Sequence, residues 1–86
     1  MYRVMLSRQA IKDLKLLKEC CLSEKARSLT DVLALDPFQN PPPFEKLTGD
    51  LQGYYSRRIN IRHRMVYEVL NGERIVKVLR MWSHYE

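Results

Sequence analysis

The sequence predicts an α+β domain of the order β-α-α-β-β-β, in which a helical hairpin packs on one face of an antiparallel sheet. In the first half of the chain, apolar residues recur at the three- and four-residue spacing of amphipathic helices. In the second half, β-branched and aromatic residues form strand-like runs, and Asn71-Gly72 is typical of a two-residue hairpin turn. Since 86 residues suffice for one core, we expect a single domain over residues 1–86.

The first half is expected to form one strand and two helices. Residues 2–6 are typical of a strand, and Ser7 stands at the N-cap of a helix over residues 8–21. Ser23 is a candidate cap for a second helix, which ends at Asp36-Pro37 because the residue before a proline avoids helical geometry. The expected core-facing residues are Ile11, Leu14, Leu17 and Cys21 in the first helix, and Ala26, Leu29, Val32 and Leu33 in the second, with Lys12, Lys15 and Lys18 in water.

A long irregular segment, residues 37–53, is expected between the helices and the remaining strands. Its three consecutive prolines, residues 41–43, prevent helix and sheet pairing and stiffen the chain. The segment is either a plain linker or a functional loop, and ordered loops of this length in small domains are more often functional. Phe44 and Leu47 are expected to fix it to the core and to hold Glu45 at the rim.

Three strands are expected over residues 54–61, 63–70 and 74–82, with a tight turn near Arg62 between the first two. Strand alternation directs Met65, Tyr67 and Val69 towards the helices and Arg64 towards the open face, where Arg58 also belongs. The last strand is uniformly apolar, so alternation leaves its facing open.

The positive charge is concentrated in this second half. The chain has a net charge of +5, and residues 54–86 contain seven Lys and Arg against three acids. Such a distribution favours a polyanionic partner. The neighbouring Cys20 and Cys21 are poorly placed for a disulfide, and no run approaches a membrane span or a signal peptide. We therefore expect a cytoplasmic protein without a membrane partner.

A carboxylate, a histidine and two arginines are sufficient for metal-free RNA cleavage, and Glu45, His84, Arg64 and Arg58 are the candidates. The carboxylate takes the proton of a ribose 2′-OH, the histidine protonates the leaving 5′-oxygen, and the arginines stabilise the phosphorane charge. Tyr85 and one of Tyr54 or Tyr55 are candidates for stacking on a base. No metal-spaced Cys/His cluster or Gly-rich phosphate loop is present, so neither a metal nor a cofactor is expected.

Each of these residues also has an ordinary structural interpretation. Loop glutamates are mostly just solvated, and a histidine close to a chain end is usually incidental. Tyr54, Tyr55 and Trp82 fit packing roles, and Arg57, Arg62 and Arg80 fit a solubilised sheet edge.

Three segments carry a family resemblance: residues 47–60 (LTGDLQGYYSRRIN), residues 63–67 (HRMVY) and the closing Ser83-His84-Tyr85. Together with Glu45 they resemble the YoeB/Txe branch of the RelE toxin superfamily. The match covers residues 44–86 with nearly unbroken spacing, and over residues 1–43 length and topology agree. Departures are Thr48 where relatives carry a lysine, Arg62 where relatives often carry an acid, and the additional Glu86.

The resemblance implies a RelE-like fold and a toxin that cuts mRNA in the ribosomal A site, neutralised by a cognate antitoxin; a homodimer stays an option. By matching position, Glu45 is the expected general base, His84 the general acid, and Tyr85 an orienting group. Arg64 and Arg58 are expected at the scissile phosphate, and the remaining expected RNA contacts are Arg57, Lys46, Tyr54 and Tyr55.

Two other functions fit the same fold. One is a non-enzymatic toxin like the gyrase-inhibiting ParE relatives, and the other is a basic module that binds nucleic acid or protein. Neither needs an acid–base pair, so the joint presence of Glu45, Arg64 and His84 favours the nuclease.

Overall fold

The computed structural model describes residues 1–81, and the predicted α+β class is confirmed. A first strand, β1 (Arg3–Leu6), precedes the helical hairpin of α1 (Arg8–Glu19) and α2 (Ser23–Leu35). The chain continues through β2 (Glu45–Lys46), a 3-10 turn (Gly49–Leu51), β3 (Tyr55–Arg58), β4 (Arg64–Leu70) and β5 (Ile75–Arg80). These strands form one five-stranded sheet in the order β1-β5-β4-β3-β2.

The sheet is mostly antiparallel, as predicted, but one edge pair is parallel. Strand β1 runs parallel to β5, with Arg3 beside Ile75 and Leu6 beside Val78, whereas the other strand pairs are antiparallel. A parallel pair needs a long connection, which the helical hairpin and three intervening strands supply. Alternation within a strand contains no information on strand order, so the sequence patterns did not reveal this pairing.

Ser7 is the N-cap of α1, as predicted, because its hydroxyl oxygen accepts a hydrogen bond from the Ala10 N–H at 2.9 Å. The same hydroxyl donates to the Leu79 carbonyl at 2.7 Å, which ties the start of the helix to β5. The second cap prediction is wrong. Leu22 occupies the N-cap of α2 without a side-chain hydrogen bond, and Ser23 is the first helical residue.

The predicted core face of α1 is confirmed at buried Leu17 and at Leu14, which packs against the core, and is wrong at Ile11 and Cys21. Ala10, Asp13 and Leu17 are buried, whereas Ile11 is 47% exposed and Cys21, beyond the helix end, is exposed. Small Ala10 allows close approach to the sheet, a role that a search for large apolar residues misses. In α2 the prediction is largely confirmed, since Ala26, Leu29 and Leu33 are buried and Val32 is half-buried.

The core lies between the helical hairpin and one face of the sheet. Met65 and Tyr67 of β4 point into it, as predicted. In β5, whose orientation the sequence left open, Val76 and Val78 point into the core as well. The connection between β4 and β5 spans residues 71–74, because Leu70 pairs with Ile75 and Arg74 has a φ of 55°. The predicted two-residue turn is therefore too short by two residues.

The β3–β4 turn begins earlier than predicted. Strand β3 ends at Arg58, and the turn over residues 59–63 is closed by the Asn60 side chain, whose Oδ1 accepts from the N–H groups of Arg62 and His63.

Within residues 1–81, no helix is long and apolar enough to cross a membrane.

Candidate active site

The face of the sheet opposite the helices brings predicted site residues from three strands together. Strand β3 lies between β2 and β4, with Ser56 beside Glu45 on one side and Val66 on the other. One step along the same face, Arg58 is the cross-strand partner of Arg64. Glu45, Arg58 and Arg64 therefore share one surface, as predicted.

Strand β2 was not predicted, because residues 37–53 were expected to be irregular throughout. The three prolines indeed stay outside the ladder, but Glu45 and Lys46 pair with β3 directly after them. The chain then reverses through residues 47–54, where Leu47 N–H donates to the Tyr54 carbonyl and Gly53 has a φ of 97°. This pairing fixes Glu45 on an edge strand of the sheet, whereas it was expected on the loop, held at the rim of the core.

The Glu45 carboxylate and the Arg64 guanidinium are in direct contact. Arg64 Nη1 donates to Glu45 Oε1 at 2.9 Å. The Arg64 side chain is 32% exposed and the Glu45 side chain is 64% exposed. Since Glu45 lies on β2 and Arg64 on β4, their contact crosses β3. Ion pairs this exposed contribute on the order of 1 kcal/mol or less, so a bound anion can replace the carboxylate at little cost.

A cleft of about 290 Å³ surrounds this contact. It is lined by Pro43, Phe44, Glu45, Ser56, Arg58 and Arg64. Arg58 is exposed and makes no ion pair with any of residues 1–81, which leaves its positive charge uncompensated. Two guanidinium groups at neighbouring positions of one cleft are well suited to a phosphate.

Arg57 lies on the other side of β3, where it is only 1% exposed. Its Nη2 donates to the carbonyls of Pro37 and Gln39, both at 2.9 Å, and its Nη1 donates to the Pro42 carbonyl. The guanidinium also lies 5.0 Å from the ring centre of Phe44. The structure thus does not bring Arg57 to the open face where RNA contact was expected, nor to a solubilised edge; it binds the proline-rich loop to the sheet.

Tyr55 and Tyr67 stack beneath the same loop with their ring centres 5.7 Å apart. Phe38 and Phe44 pack against Tyr55 at 5.3 and 5.9 Å, so Phe44 fixes the loop as predicted and Tyr55 has a packing position. The Tyr67 hydroxyl donates to the Pro37 carbonyl at 3.1 Å. Burial raises the pKa of Tyr67 above its ordinary value of 10.0, although the nearby Arg57 charge opposes the shift.

Lys46 and Tyr54, two of the other expected RNA contacts, line a second cleft of about 460 Å³. Leu47, Thr48, Gln52, Gly53 and Tyr55 complete its walls. It lies along the β2–β3 turn, one residue further along β2 than Glu45. The structure brings these two residues together in a cleft that is separate from the one lined by Arg58 and Arg64.

The family model for the YoeB-like toxin of bacterial type II toxin–antitoxin systems matches residues 7–85. The chain belongs to this family. Toxin YoeB of Synechocystis sp. is 39% identical over 74 residues, which cover 86% of this chain and 77% of the relative.

Solved structures agree with this family membership. The YoeB/ParE toxin from Agrobacterium tumefaciens superposes with a TM-score of 0.86 at 28% identity, over 96% of this chain and 99% of the other. The Staphylococcus aureus YoeB is 31% identical, with a TM-score of 0.81 both in its heterotetrameric complex with YefM and as a dimer. The matches cover 99% of both chains for the complex and 98% of both for the dimer.

His84 and Tyr85 of this YoeB-family chain lie outside the described residues, as do Trp82 and Glu86. The last described residue, Met81, is buried, and its N–H donates to the buried carboxylate of Asp13 at 3.0 Å. Asp13 and Ser56 are buried polar residues that sequence reasoning did not place, and Arg57 is one that it placed wrongly. For Arg57 a signal existed, because strand alternation puts it opposite Arg58; for Asp13, helical spacing from Ala10 and Leu17 was the only indication.

Within residues 1–81, no three His, Cys, Asp or Glu side chains converge as a metal site would require. The groups assembled in the cleft are those for anion binding and proton transfer: a carboxylate, two guanidinium groups and a serine hydroxyl.

Proposed function

We propose that this YoeB-family toxin is a ribosome-dependent mRNA endonuclease that cuts mRNA in the ribosomal A site and so inhibits translation. The observation that carries the proposal is the contact of Glu45 with Arg64 in a cleft that also contains Arg58, whose charge no residue of the described range 1–81 pairs with. A base and two phosphate-binding groups within one cleft form the centre of an RNA transesterification site.

The reaction begins at the ribose 2′-OH. Glu45 accepts its proton while O2′ forms a bond to phosphorus, and the charge that accumulates on the phosphorane oxygens is stabilised by Arg64 and Arg58. The bond from phosphorus to the 5′-oxygen then breaks, and His84 supplies the proton that the leaving oxygen needs. The products are a 2′,3′-cyclic phosphate and a 5′-hydroxyl, and no metal or cofactor takes part.

The surrounding residues have supporting roles in this proposal. Tyr85 orients the substrate or the histidine, and Lys46 and Tyr54 contact the RNA beside the reacting nucleotide along the second cleft. Tyr55 and Arg57 act indirectly, because they pack and bind the loop that precedes Glu45.

The proposed partners are the ribosome with its A-site mRNA and a cognate antitoxin in the same cytoplasm. The antitoxin is supported by the family membership and by the complex of the Staphylococcus aureus relative with YefM. A homodimer is supported by the dimer structure of that relative. The basic cleft favours an antitoxin segment rich in acidic and apolar residues that folds on contact.

Cell-free translation with mapping of mRNA ends tests the proposal. The parent protein should produce cuts within A-site codons with 5′-hydroxyl ends, and Glu45→Gln should not. Arg74→Ala, in the β4–β5 turn, is the matched control that should cut like the parent. Intact mRNA with the parent protein would instead favour a ParE-like toxin or a basic binding module.

A further inference from the structure

The buried hydroxyl of Ser56 makes no hydrogen bond with any residue of the described range 1–81. Ser56 is 1% exposed, and its Oγ is shielded from solvent. A buried polar group that lacks a partner destabilises the folded protein, and such groups are rare in native structures. A serine that only fills space gains nothing from its oxygen, so this hydroxyl calls for a functional explanation.

Its position points to the cleft. Ser56 lies in the middle of the three strands, with Glu45 as its cross-strand neighbour on β2, and it lines the same cleft as Glu45, Arg58 and Arg64. The contact between Glu45 and Arg64 crosses β3 on this face. Ser56 therefore lies at the floor of the cleft where the ion pair spans it, with its hydroxyl buried just beneath the surface.

The ion pair also shows when the hydroxyl would acquire a partner. In the structure, Arg64 Nη1 is the hydrogen-bond donor to the Glu45 carboxylate. A phosphate bound in the cleft attracts Arg64 and Arg58, the charged groups that face Glu45 from β4 and β3. Lys46, the neighbour of Glu45 on β2, lines the second cleft instead. Once both arginines contact a phosphate, the carboxylate needs another donor, and Ser56 is the neighbouring residue with one to give.

We propose that Ser56 is a positioning residue for Glu45: its hydroxyl donates a hydrogen bond to the carboxylate when Arg64 turns to the substrate phosphate. The inference rests on the proposed function, in which Glu45 is the base. The hydrogen bond keeps the carboxylate directed into the cleft and favours its charged form, which is the form that accepts a proton.

Single-turnover cleavage of mRNA on programmed ribosomes between pH 5 and 8 provides the first test. Ser56→Ala should cut about tenfold more slowly at neutral pH, the effect of one hydrogen bond to a charged group. The acid limb of its pH–rate profile should move to higher pH. Ser56→Cys, which is similar in size to serine but a weak hydrogen-bond donor, should behave like Ser56→Ala. Ser56→Thr keeps the hydroxyl and should retain most of the parent rate.

Thermal unfolding separates this role from a structural one. Because the hydroxyl has no partner within the described part of the ligand-free chain, Ser56→Ala should be as stable as the parent or more so. Ser28→Ala, an exposed serine of α2, is the control that should leave rate, pH profile and stability unchanged. A melting temperature that falls together with activity would overturn the proposal, as would equal rate loss at every pH or an Ser56→Ala rate within twofold of the parent.

A titration without RNA distinguishes failure of this inference from failure of the proposed function. In Arg64→Gln the carboxylate lacks its guanidinium partner, so Ser56 should already donate to it. With ¹³C-labelled glutamate, the NMR titration midpoint of Glu45 should be about one pH unit higher in Arg64→Gln/Ser56→Ala than in Arg64→Gln. Arg58 is present in both variants, so the effect of its charge on the midpoint cancels in the comparison. Equal midpoints would refute the contact between Ser56 and Glu45, whether or not the parent protein cuts mRNA.

Discussion

The carboxylate of Asp13 in α1 accepts a hydrogen bond from the backbone N–H of Met81, immediately after β5, at 3.0 Å. The other carboxylate oxygen accepts from the Gln9 side chain at 2.9 Å. Both residues of the long-range contact are buried. This hydrogen bond fastens the helix to the chain just before the segment that contains His84.

Replacement of Asp13 should therefore destabilise the protein. Asp13→Leu leaves the Met81 N–H without an acceptor and should lower the free energy of unfolding by about 1–3 kcal/mol. Asp13→Asn retains an acceptor and should cost less. Urea denaturation measures both, with exposed Asp31→Asn as the control; equal losses for the Leu and Asn variants would contradict the role of the acceptor.

Neighbouring Arg57 and Arg58 should respond in opposite ways. Arg57→Leu removes the donor to the Gln39 and Pro42 carbonyls and one of two donors to the Pro37 carbonyl, and should cost about 3 kcal/mol or more of stability. Arg58→Ala should leave thermal stability nearly unchanged and slow mRNA cleavage strongly. Melting temperatures and cleavage rates of the two variants should be measured side by side. An Arg58 variant that loses both properties together would remove Arg58 from the proposed site.

Glu45→Gln should separate catalysis from folding. The carboxylate is mostly exposed, so loss of its ion pair should change stability by on the order of 1 kcal/mol or less. Loss of a general base should slow cleavage by about 10²–10⁴-fold. Single-turnover rates on programmed ribosomes, with ribosome affinity measured in parallel, decide the matter. A rate within a few-fold of the parent would exclude Glu45 as the base.

His84→Gln tests the proposed acid. The change should reduce cleavage by about 10²–10⁴-fold and leave ribosome binding near the parent level, because a general acid acts on the leaving oxygen and not on association. The same single-turnover assay applies. Near-normal cleavage by this variant would mean that the leaving oxygen receives its proton from another group.

Tyr67 should make stability depend on pH in the alkaline range. Its pKa is raised in the folded protein, so the unfolded chain loses this proton first, near its ordinary value of 10.0. The contribution of Tyr67 to the free energy of unfolding is therefore fully present below pH 10. It is lost as the pH rises from there through the pKa of Tyr67 in the folded protein. Stability should thus fall less steeply above pH 10 in Tyr67→Phe than in the parent, as denaturation at several pH values will measure. A Tyr67→Phe variant whose stability falls as steeply as that of the parent above pH 10 would contradict the shift.

Strand periodicity was sufficient to place Arg58 and Arg64 on one face and Met65 and Tyr67 on the other, because alternation is a property of a single strand. It did not reveal the parallel pairing of β1 with β5, which depends on the path of the whole chain. The search for large apolar residues misplaced Ile11, because the small Ala10 takes a buried core position on α1 instead. Arg57 escaped correct placement because carbonyl groups from a loop, rather than a carboxylate, satisfy its charge.

The contact of Glu45 with Arg64 has a consequence for the protein in isolation. A phosphate that approaches Arg64 competes with an anion attached to the same sheet, and an attached competitor has a high effective concentration. A short RNA free in solution must displace it with the binding energy of very few contacts. An RNA that is already held by a much larger surface can displace the carboxylate easily, because its contacts elsewhere supply the free energy that the displacement requires. A pair this exposed contributes on the order of 1 kcal/mol or less, so in the proposed function self-occupancy of the cleft gives immobilised RNA a modest preference over stray transcripts, at most about fivefold.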